Sequence, residues 1–384
     1  MKNILFMHGG GPTAVINASL AGSLMELDKV GFKGKALAAR FGTGGLLSGD
    51  VFEIPALDKD GFGRLSRTPG SAIGTGRDHL TDEDYDTLAR KLQDLDCAYC
   101  VMTGGNGTMD TTRKLSRAAE KYGITVVGTP KTMDNDLSIT DHAPGFPSAA
   151  EYLAASVREA AMDVRGLPIH VVVIEAFGRD AGWITASSAL AATDRYSGAD
   201  MILLPETAFD EERFLSRAEE LYREKGGVVV VASEGLRYAD GTPIVEPVFQ
   251  RGRSVYFGDV SSHLSQLITK KLGIKSRSEK PGILGRSSMR YQSELDRLEA
   301  ISAGEMSVRC ALDGKNGWMS IFRRLSSDPY RMETVATPIM DEILQARQMP
   351  PEYIDAENYQ VTDAFIDYVK PLVGSNLGDF ISFV

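Results

Sequence analysis

Three cysteines in 384 residues are too few for a disulfide scaffold, and only Cys97 and Cys100 have a spacing that invites a redox or metal reading. Residues 96–103 read as a strand, where alternation places residues three apart on opposite faces. No second cysteine pair or nearby histidine completes a zinc set. Buried core thiols in a reducing compartment are the expectation. Long apolar runs are also missing. The longest, such as 228–232 and 171–174, fall far short of the ~20 residues that cross a bilayer, so no membrane role is expected. Residues 1–7 enter a strand at once without a signal-peptide cleavage region, which makes the expected location cytoplasmic. Positive charge is in deficit: 42 Lys and Arg face 52 Asp and Glu, for a formal net charge of −10. That excludes a general nucleic-acid binder, which needs a basic surface. An anionic ligand remains compatible with it, because local cations and backbone amides can outweigh an acidic average.

What is present is an alternation. A short apolar strand, a glycine-rich or polar loop and an amphipathic helix recur: strand 3–8 into Gly9-Gly10-Gly11-Pro12-Thr13, strand 97–102 into Gly104-Gly105-Asn106-Gly107-Thr108, and strand 124–128 into Pro130-Lys131-Thr132-Met133-Asp134-Asn135-Asp136. A second series runs from strand 169–176 into Phe177-Gly178-Arg179, then through strands 199–204 and 228–232 to Ser233-Glu234-Gly235. This pattern predicts an α/β fold with parallel sheets and right-handed crossovers. Ligands of such sheets bind beyond the C-terminal strand ends, where these loops lie. The length predicts two domains, with a break at the Pro- and Gly-rich segment 141–147.

The first two loops each follow a strand and precede a helix, where backbone N–H groups can bind an anion. Neither matches G-x-G-x-x-G or the Walker pattern, which disfavours a nicotinamide dehydrogenase and a P-loop enzyme; taken singly, each reads equally well as a turn. The 130–136 loop concentrates two carboxylates, an amide, a hydroxyl and an ammonium. Phosphoryl transfer needs a base for the acceptor proton and cations for the phosphate charge, roles open to Asp134 and Lys131. A solvated turn with a helix cap explains the same residues. Arg179 at a helix start is a candidate phosphate cation or a surface arginine. Glu234 is a candidate acceptor for sugar hydroxyls or a loop carboxylate. Arg77 is a candidate phosphate contact or a residue of a mobile loop. His170, beside strand 171–174, reads as a satisfied core histidine.

Taken in order, these pieces resemble the phosphofructokinase family, and within it the pyrophosphate-dependent branch. The resemblance is carried by Gly10-Gly11-Pro12-Thr13-Ala14-Val15-Ile16-Asn17, by the loops at 104–108, 130–136 and 175–183, by Ser233-Glu234-Gly235, and by Ser293-Glu294-Leu295-Asp296-Arg297-Leu298-Glu299-Ala300. It implies two Rossmann-like parallel-sheet domains with the active site in the interdomain cleft: residues 1–145 with roughly 298–335 for the phosphoryl donor, and 146–297 with roughly 336–384 for the sugar phosphate. It implies Mg²⁺-dependent phosphorylation of the 1-hydroxyl of fructose 6-phosphate to fructose 1,6-bisphosphate, a step of glycolysis and gluconeogenesis, in a homodimer or homotetramer. By matched position, Asp134 is the base, with Lys131 and Arg179 as catalytic cations. Gly11, Gly105, Gly107, Thr108 and Arg77 meet the donor. Thr132, Met133, Phe177, Gly178, Glu234, Arg290 and Arg297 meet the sugar phosphate. Asn106 and Asp136 fall at the metal, with Asp134 or Asp110 sharing its charge.

Departures from the family pattern concern the donor and the sugar. In the family, Lys at 131 goes with pyrophosphate, whereas Gly at 107 leaves room for the inner phosphate of ATP. The N-terminal stretch and residues 293–300 weigh towards pyrophosphate, with an ATP-dependent 6-phosphofructokinase as the alternative. Asn106 stands where many relatives have a metal-binding Asp, the feature that favours a non-catalytic sugar-phosphate sensor. Phe177 replaces a usual Met. His170 replaces an Arg that binds phosphate across a subunit boundary in ATP-dependent relatives, a change compatible with another sugar phosphate such as sedoheptulose 7-phosphate.

Overall fold

The computed structural model describes residues 2–251, 254–341, 345–374 and 377–384. The chain forms two compact units, Met1–Ser148 with Arg286–Arg347 and Ala149–Gly285 with Gln348–Val384. The chain returns to the first unit at Arg286, earlier than the expected 298, and stays there to Arg347, beyond the expected 335. The reason is packing within that unit: the helix Glu294–Leu312 lies along the helix Ile16–Lys29, and the hairpin Trp318–Ser327/Tyr330–Pro338 extends its sheet.

The sheet of the first unit has seven strands in the order Tyr330–Pro338, Trp318–Ser327, Thr125–Pro130, Cys97–Gly104, Asn3–His8, Ala36–Ala39, Val51–Glu53. The five inner strands run parallel and both edge strands are antiparallel. Inner strands covered on both faces should be almost continuously apolar, and Asn3–His8 and Thr125–Pro130 are buried from their second residue onward. The helices Ile16–Lys29 and Glu294–Leu312 approach closely because the contact is made through glycine. A Cβ on Gly304 would stand 1.9 Å from the carbonyl oxygen of Ser19.

Cys97, Cys100 and Cys310 are free and buried, as expected. The expectation that Cys97 and Cys100 face opposite ways fails for a local reason. Pairing jumps from Asn3↔Cys97 to Ile4↔Tyr99, an extra residue of the bulge type. It brings both thiols into one apolar cluster with Leu5, Met7 and Met102. Burial pushes the Cys97 thiol up to about 12 and the Cys100 thiol higher still, so both stay protonated and inert.

The second unit is built on a four-stranded, all-parallel sheet in the order Ser276–Glu279, Val171–Ala176, Val228–Ser233, Met201–Leu203. Its two central strands are fully buried, as their Val-rich sequences require. Trp183 clusters with Tyr353, Phe365 and Tyr368, which seats the helix Asp363–Val369. Among the described residues no helix is long and apolar enough to cross a membrane.

Candidate active site

In the first unit, register brings three loops together. His8 pairs with Thr103 and Gly104 pairs with Pro130, so three parallel strands end level and release the 9–13, 104–108 and 130–136 loops side by side. The helix Asn106–Glu120 starts from Gly105 as its N-cap and directs its positive end to this rim. The Thr108 side chain tucks under the rim so tightly that a Cβ on Gly104 would lie 2.1 Å from its Oγ1. Gly107 differs: a Cβ there meets nothing within 4 Å.

Lys131 is only 4 % exposed and its Nζ donates to the Gly11 carbonyl at 2.7 Å. Burial pulls its pKa down to about 8, with Arg77 and Arg286 pushing the same way and Asp134 and Asp136 resisting. The two guanidinium groups flank Gly11. An ideal Cβ on Gly11 would stand 2.8 Å from Arg286 Nη1 and 3.4 Å from Arg77 Nη2. Burial and the repulsion of Arg77 also lower the Arg286 pKa, against the attraction of Asp134. Three cations gathered at a helix N-terminus and a glycine loop make an anion site.

The half-buried Asp134 sits next to this cluster, and its backbone N–H donates to Thr132 Oγ1 at 3.1 Å. Thr132 and Met133 are buried. Asn135 takes a left-handed conformation, φ 54°, which Asn tolerates better than most residues, and its Oδ1 accepts from the Ala143 N–H at 3.1 Å. Asn106 Nδ2 donates to Asp136 Oδ2 at 3.0 Å. That leaves Asn106 Oδ1 and Asp136 Oδ1 buried without a hydrogen-bond partner among the described residues. Two unpaired hard oxygens next to a cluster of phosphate-type cations are suited to Mg²⁺, which takes few protein ligands and keeps several waters. No group of three His, Cys, Asp or Glu side chains among the described residues forms a metal cage. Asp110 is instead engaged by Arg113 and Lys114.

Arg290 is exposed. Arg297 is covered by Glu294, to which its Nε donates at 3.0 Å, and its Nη1 reaches Ser66 Oγ at 3.4 Å. The rest of the 293–300 stretch is scaffold. The buried carboxylate of Asp296 accepts from the N–H of Gly145 at 2.9 Å and from Ser148 N–H and Oγ at 3.1 and 2.5 Å. Burial lifts its pKa to about 6, against those donors. His142 is wholly buried between Asp141 Oδ2 at 2.9 Å and Glu299 Oε2 at 2.6 Å. Burial pulls its pKa down, yet the two carboxylates lift it to about 9, so it is an imidazolium bridging two anions.

In the second unit the register Ala176↔Ser233 aligns the strand ends that carry Phe177-Gly178-Arg179 and Glu234. Ser233 Oγ donates to the Gly178 carbonyl at 2.6 Å, which fastens one loop to the other. The Arg179 guanidinium lies 5.1 Å from the Phe257 ring centroid, and its Nε is buried without a hydrogen-bond partner among the described residues. Burial raises the Glu234 pKa, with Arg179 pulling it back. His170 is buried, but neither ring nitrogen has a hydrogen-bond partner among the described residues. It is therefore not the satisfied core histidine expected from the sequence. Burial, with Arg277 adding to it, lowers its pKa and keeps it neutral.

The phosphofructokinase family model matches residues 3–311. The chain belongs to the phosphofructokinase family. Among curated proteins it is 35 % identical to the pyrophosphate–fructose 6-phosphate 1-phosphotransferase of Xanthomonas campestris, over 97 % of this chain and 91 % of that protein. It is 36 % identical, with the same coverage, to the protein of that name from Methylococcus capsulatus. Among solved structures it resembles the pyrophosphate-dependent phosphofructokinase of Marinobacter aquaeolei with a TM-score of 0.88 and 32 % identity, covering 99 % of this chain and 94 % of that one. Against this phosphofructokinase background, the sequence reading passes over Arg286, His142 and Arg347. Arg286 had a faint signal, a basic residue in the Pro- and Gly-containing 281–286 stretch. The other two had none, because their partners are distant in sequence.

Proposed function

We propose that this phosphofructokinase-family chain transfers a phosphoryl group from pyrophosphate to the 1-hydroxyl of fructose 6-phosphate, releasing phosphate and fructose 1,6-bisphosphate. The observation that carries the reading is the buried ammonium of Lys131, held between Gly11 and Asp134 and accompanied by Arg77 and Arg286. A compact, densely charged donor suits that cluster, and phosphoryl transfer depends on positioning and charge offset more than on covalent chemistry.

Asp134 takes the proton of the 1-hydroxyl as its oxygen forms a bond to the transferred phosphorus. The bond from that phosphorus to the bridging oxygen breaks, and its electrons leave with inorganic phosphate. Lys131, Arg77 and Arg286 offset the donor charge over the backbone of Gly11 and of Gly105, Gly107 and Thr108. Arg179 stabilises charge on the transferred group. Thr132, Met133, Phe177 and Gly178 line the sugar, Glu234 accepts its hydroxyls, and Arg290 and Arg297 serve its 6-phosphate, Arg297 by exchanging its Glu294 partner. Asn106 Oδ1 and Asp136 Oδ1 would hold Mg²⁺, which when bound neutralises phosphate oxygens. A homodimer or homotetramer in the cytoplasm completes the reading.

One observation favours ATP as the donor: the open space at Gly107, which leaves room for a larger phosphate chain. The names of the relatives at 35 and 36 % identity support pyrophosphate. Turnover of fructose 6-phosphate with Mg²⁺ and each donor decides between them. Turnover with pyrophosphate is expected; turnover with ATP alone overturns the donor assignment.

A further inference from the structure

The loop that carries Asp134 is held in an unfavourable shape. Asn135 and Ile139 both have left-handed backbones, with φ of 54° and 61°, and for a β-branched residue such as Ile this is a genuine outlier. Such conformations persist only where surroundings over-determine them. The 345–347 segment supplies much of that grip. The Arg347 guanidinium donates to three carbonyls of the loop: Asn135 at 3.1 Å from Nη2 and 3.3 Å from Nε, Thr140 at 2.7 Å and Asp141 at 2.9 Å from Nη1. The Arg347 backbone N–H donates to the Asp136 carbonyl at 2.8 Å. Two residues earlier, the Gln345 carbonyl accepts from Ser138 Oγ at 2.9 Å. Residues 345–347 therefore strap the loop along its length, Arg347 as donor and Gln345 as acceptor.

Arg347 is also the last residue of the first unit. Two residues further, in the second unit, the Met349 N–H donates to Glu206 Oε1 at 3.0 Å, and the same oxygen accepts from the Gly182 N–H at 2.9 Å. Gly182 ends the loop that begins Phe177-Gly178-Arg179. Glu206 is enclosed so closely that a Cβ on Gly182 would lie 2.7 Å from its Oε2.

We propose that Arg347 is a positioning residue for Asp134 and that Glu206 is its counterpart for Arg179, each acting within its own unit. The proposal rests on the reading that Asp134 and Arg179 serve one transfer. Neither Arg347 nor Glu206 is assigned contact with substrate.

The test uses Arg347→Ala, Arg347→Lys and Glu206→Ala, each in the whole chain. Misplacing a reacting group by about 1 Å costs on the order of 10²-fold in rate. Arg347→Ala should therefore lower kcat about 10²-fold while the KM values for fructose 6-phosphate and pyrophosphate move less than about threefold. Guanidinium ion at millimolar, non-denaturing concentration should restore at least about tenfold of that loss, because the free cation offers the same planar fork of donors. Arg347→Lys should be intermediate and unresponsive to guanidinium. Glu206→Ala should lower kcat by about tenfold or more, with the KM values moving less than about threefold and an unchanged circular dichroism spectrum. A kcat of Arg347→Ala close to wild type, or a loss that guanidinium leaves untouched, overturns the positioning role of Arg347; a harmless Glu206→Ala overturns that of Glu206. If Arg347→Ala does not fold, the kcat and KM values of the Lys variant carry the test. Asp134→Asn run alongside separates the two levels. If it retains turnover, the assignment of the base has failed; if it is inactive while the Arg347 variants are active, only the positioning proposal has failed.

Discussion

Removing the Lys131 ammonium should change the pH dependence of stability in a way that no surface lysine can. Its pKa falls from 10.5 to about 8 because the side chain is buried, with 4 % of its surface exposed. At 1.36 kcal/mol per pH unit, carrying the charge in the folded protein costs about 3 kcal/mol at neutral pH. Below pH 8 both folded and unfolded chains are protonated at this site, so the full cost is present. Between pH 8 and 10.5 the unfolded chain keeps a proton that the folded chain has shed, and stability rises with pH in that window. Lys131→Met deletes the whole term, at the expense of the hydrogen bond to the Gly11 carbonyl, worth about 1–3 kcal/mol when its loss leaves a buried acceptor unpaired. The variant should thus be about as stable as wild type at pH 7, and wild type should gain on it by about 3 kcal/mol by pH 10.5. Urea unfolding of both proteins at intervals from pH 7 to 10.5 measures this. Curves that stay parallel across the window would refute the buried, depressed ammonium. The same variant should lose pyrophosphate-dependent turnover by at least about 10²-fold, since the cation would be missing where donor charge gathers.

Other consequences follow from the scaffold beneath the site. Gly304→Ala should destabilise the protein by about 2–3 kcal/mol or more, because its Cβ would collide with the Ser19 carbonyl at 1.9 Å; urea midpoints of wild type and variant check this, and an unchanged midpoint would contradict the close helix contact. Asp296→Asn should cost about 2–3 kcal/mol, since an amide NH₂ would face the donors of Gly145 and Ser148. Burial places the Asp296 pKa near 6, above its ordinary 3.8. The folded chain therefore binds the proton more tightly, and stability from this group declines as pH rises from about 4 to 6. Denaturation of Asp296→Asn across that interval should lack the decline, and a variant that retains it would refute the raised carboxyl.

The strand–loop–helix alternation was enough to locate the loops of the site, because parallel strands buried on both faces write themselves as apolar runs that end in glycine or polar residues. The runs at 3–8, 97–102 and 124–128 are strands, and their level ends explain why Gly11, Gly105 and Lys131 are neighbours. What could not be read was long-range pairing. Nothing local in Arg286 places it over Gly11, and nothing in Arg347 points to carbonyls more than 200 positions earlier. The bulge that turns Cys97 to the same face as Cys100 depends on how Asn3 meets the neighbouring strand, not on either cysteine. Arg297 is a case where a local rule was available: Glu294 lies three residues before it on one helix, a spacing at which side chains meet, and that pairing covers the guanidinium.

The most direct measurement is the steady-state rate of fructose 6-phosphate phosphorylation by pyrophosphate in the Asp134→Asn variant beside wild type. Asn keeps the size of the side chain and removes its capacity to take a proton. If Asp134 is the general base, kcat falls by about 10²–10⁴-fold with the KM for pyrophosphate little changed. A variant that turns over within about tenfold of wild type would contradict the account, because a group that takes the proton in the transition state cannot be replaced by an amide at so small a loss.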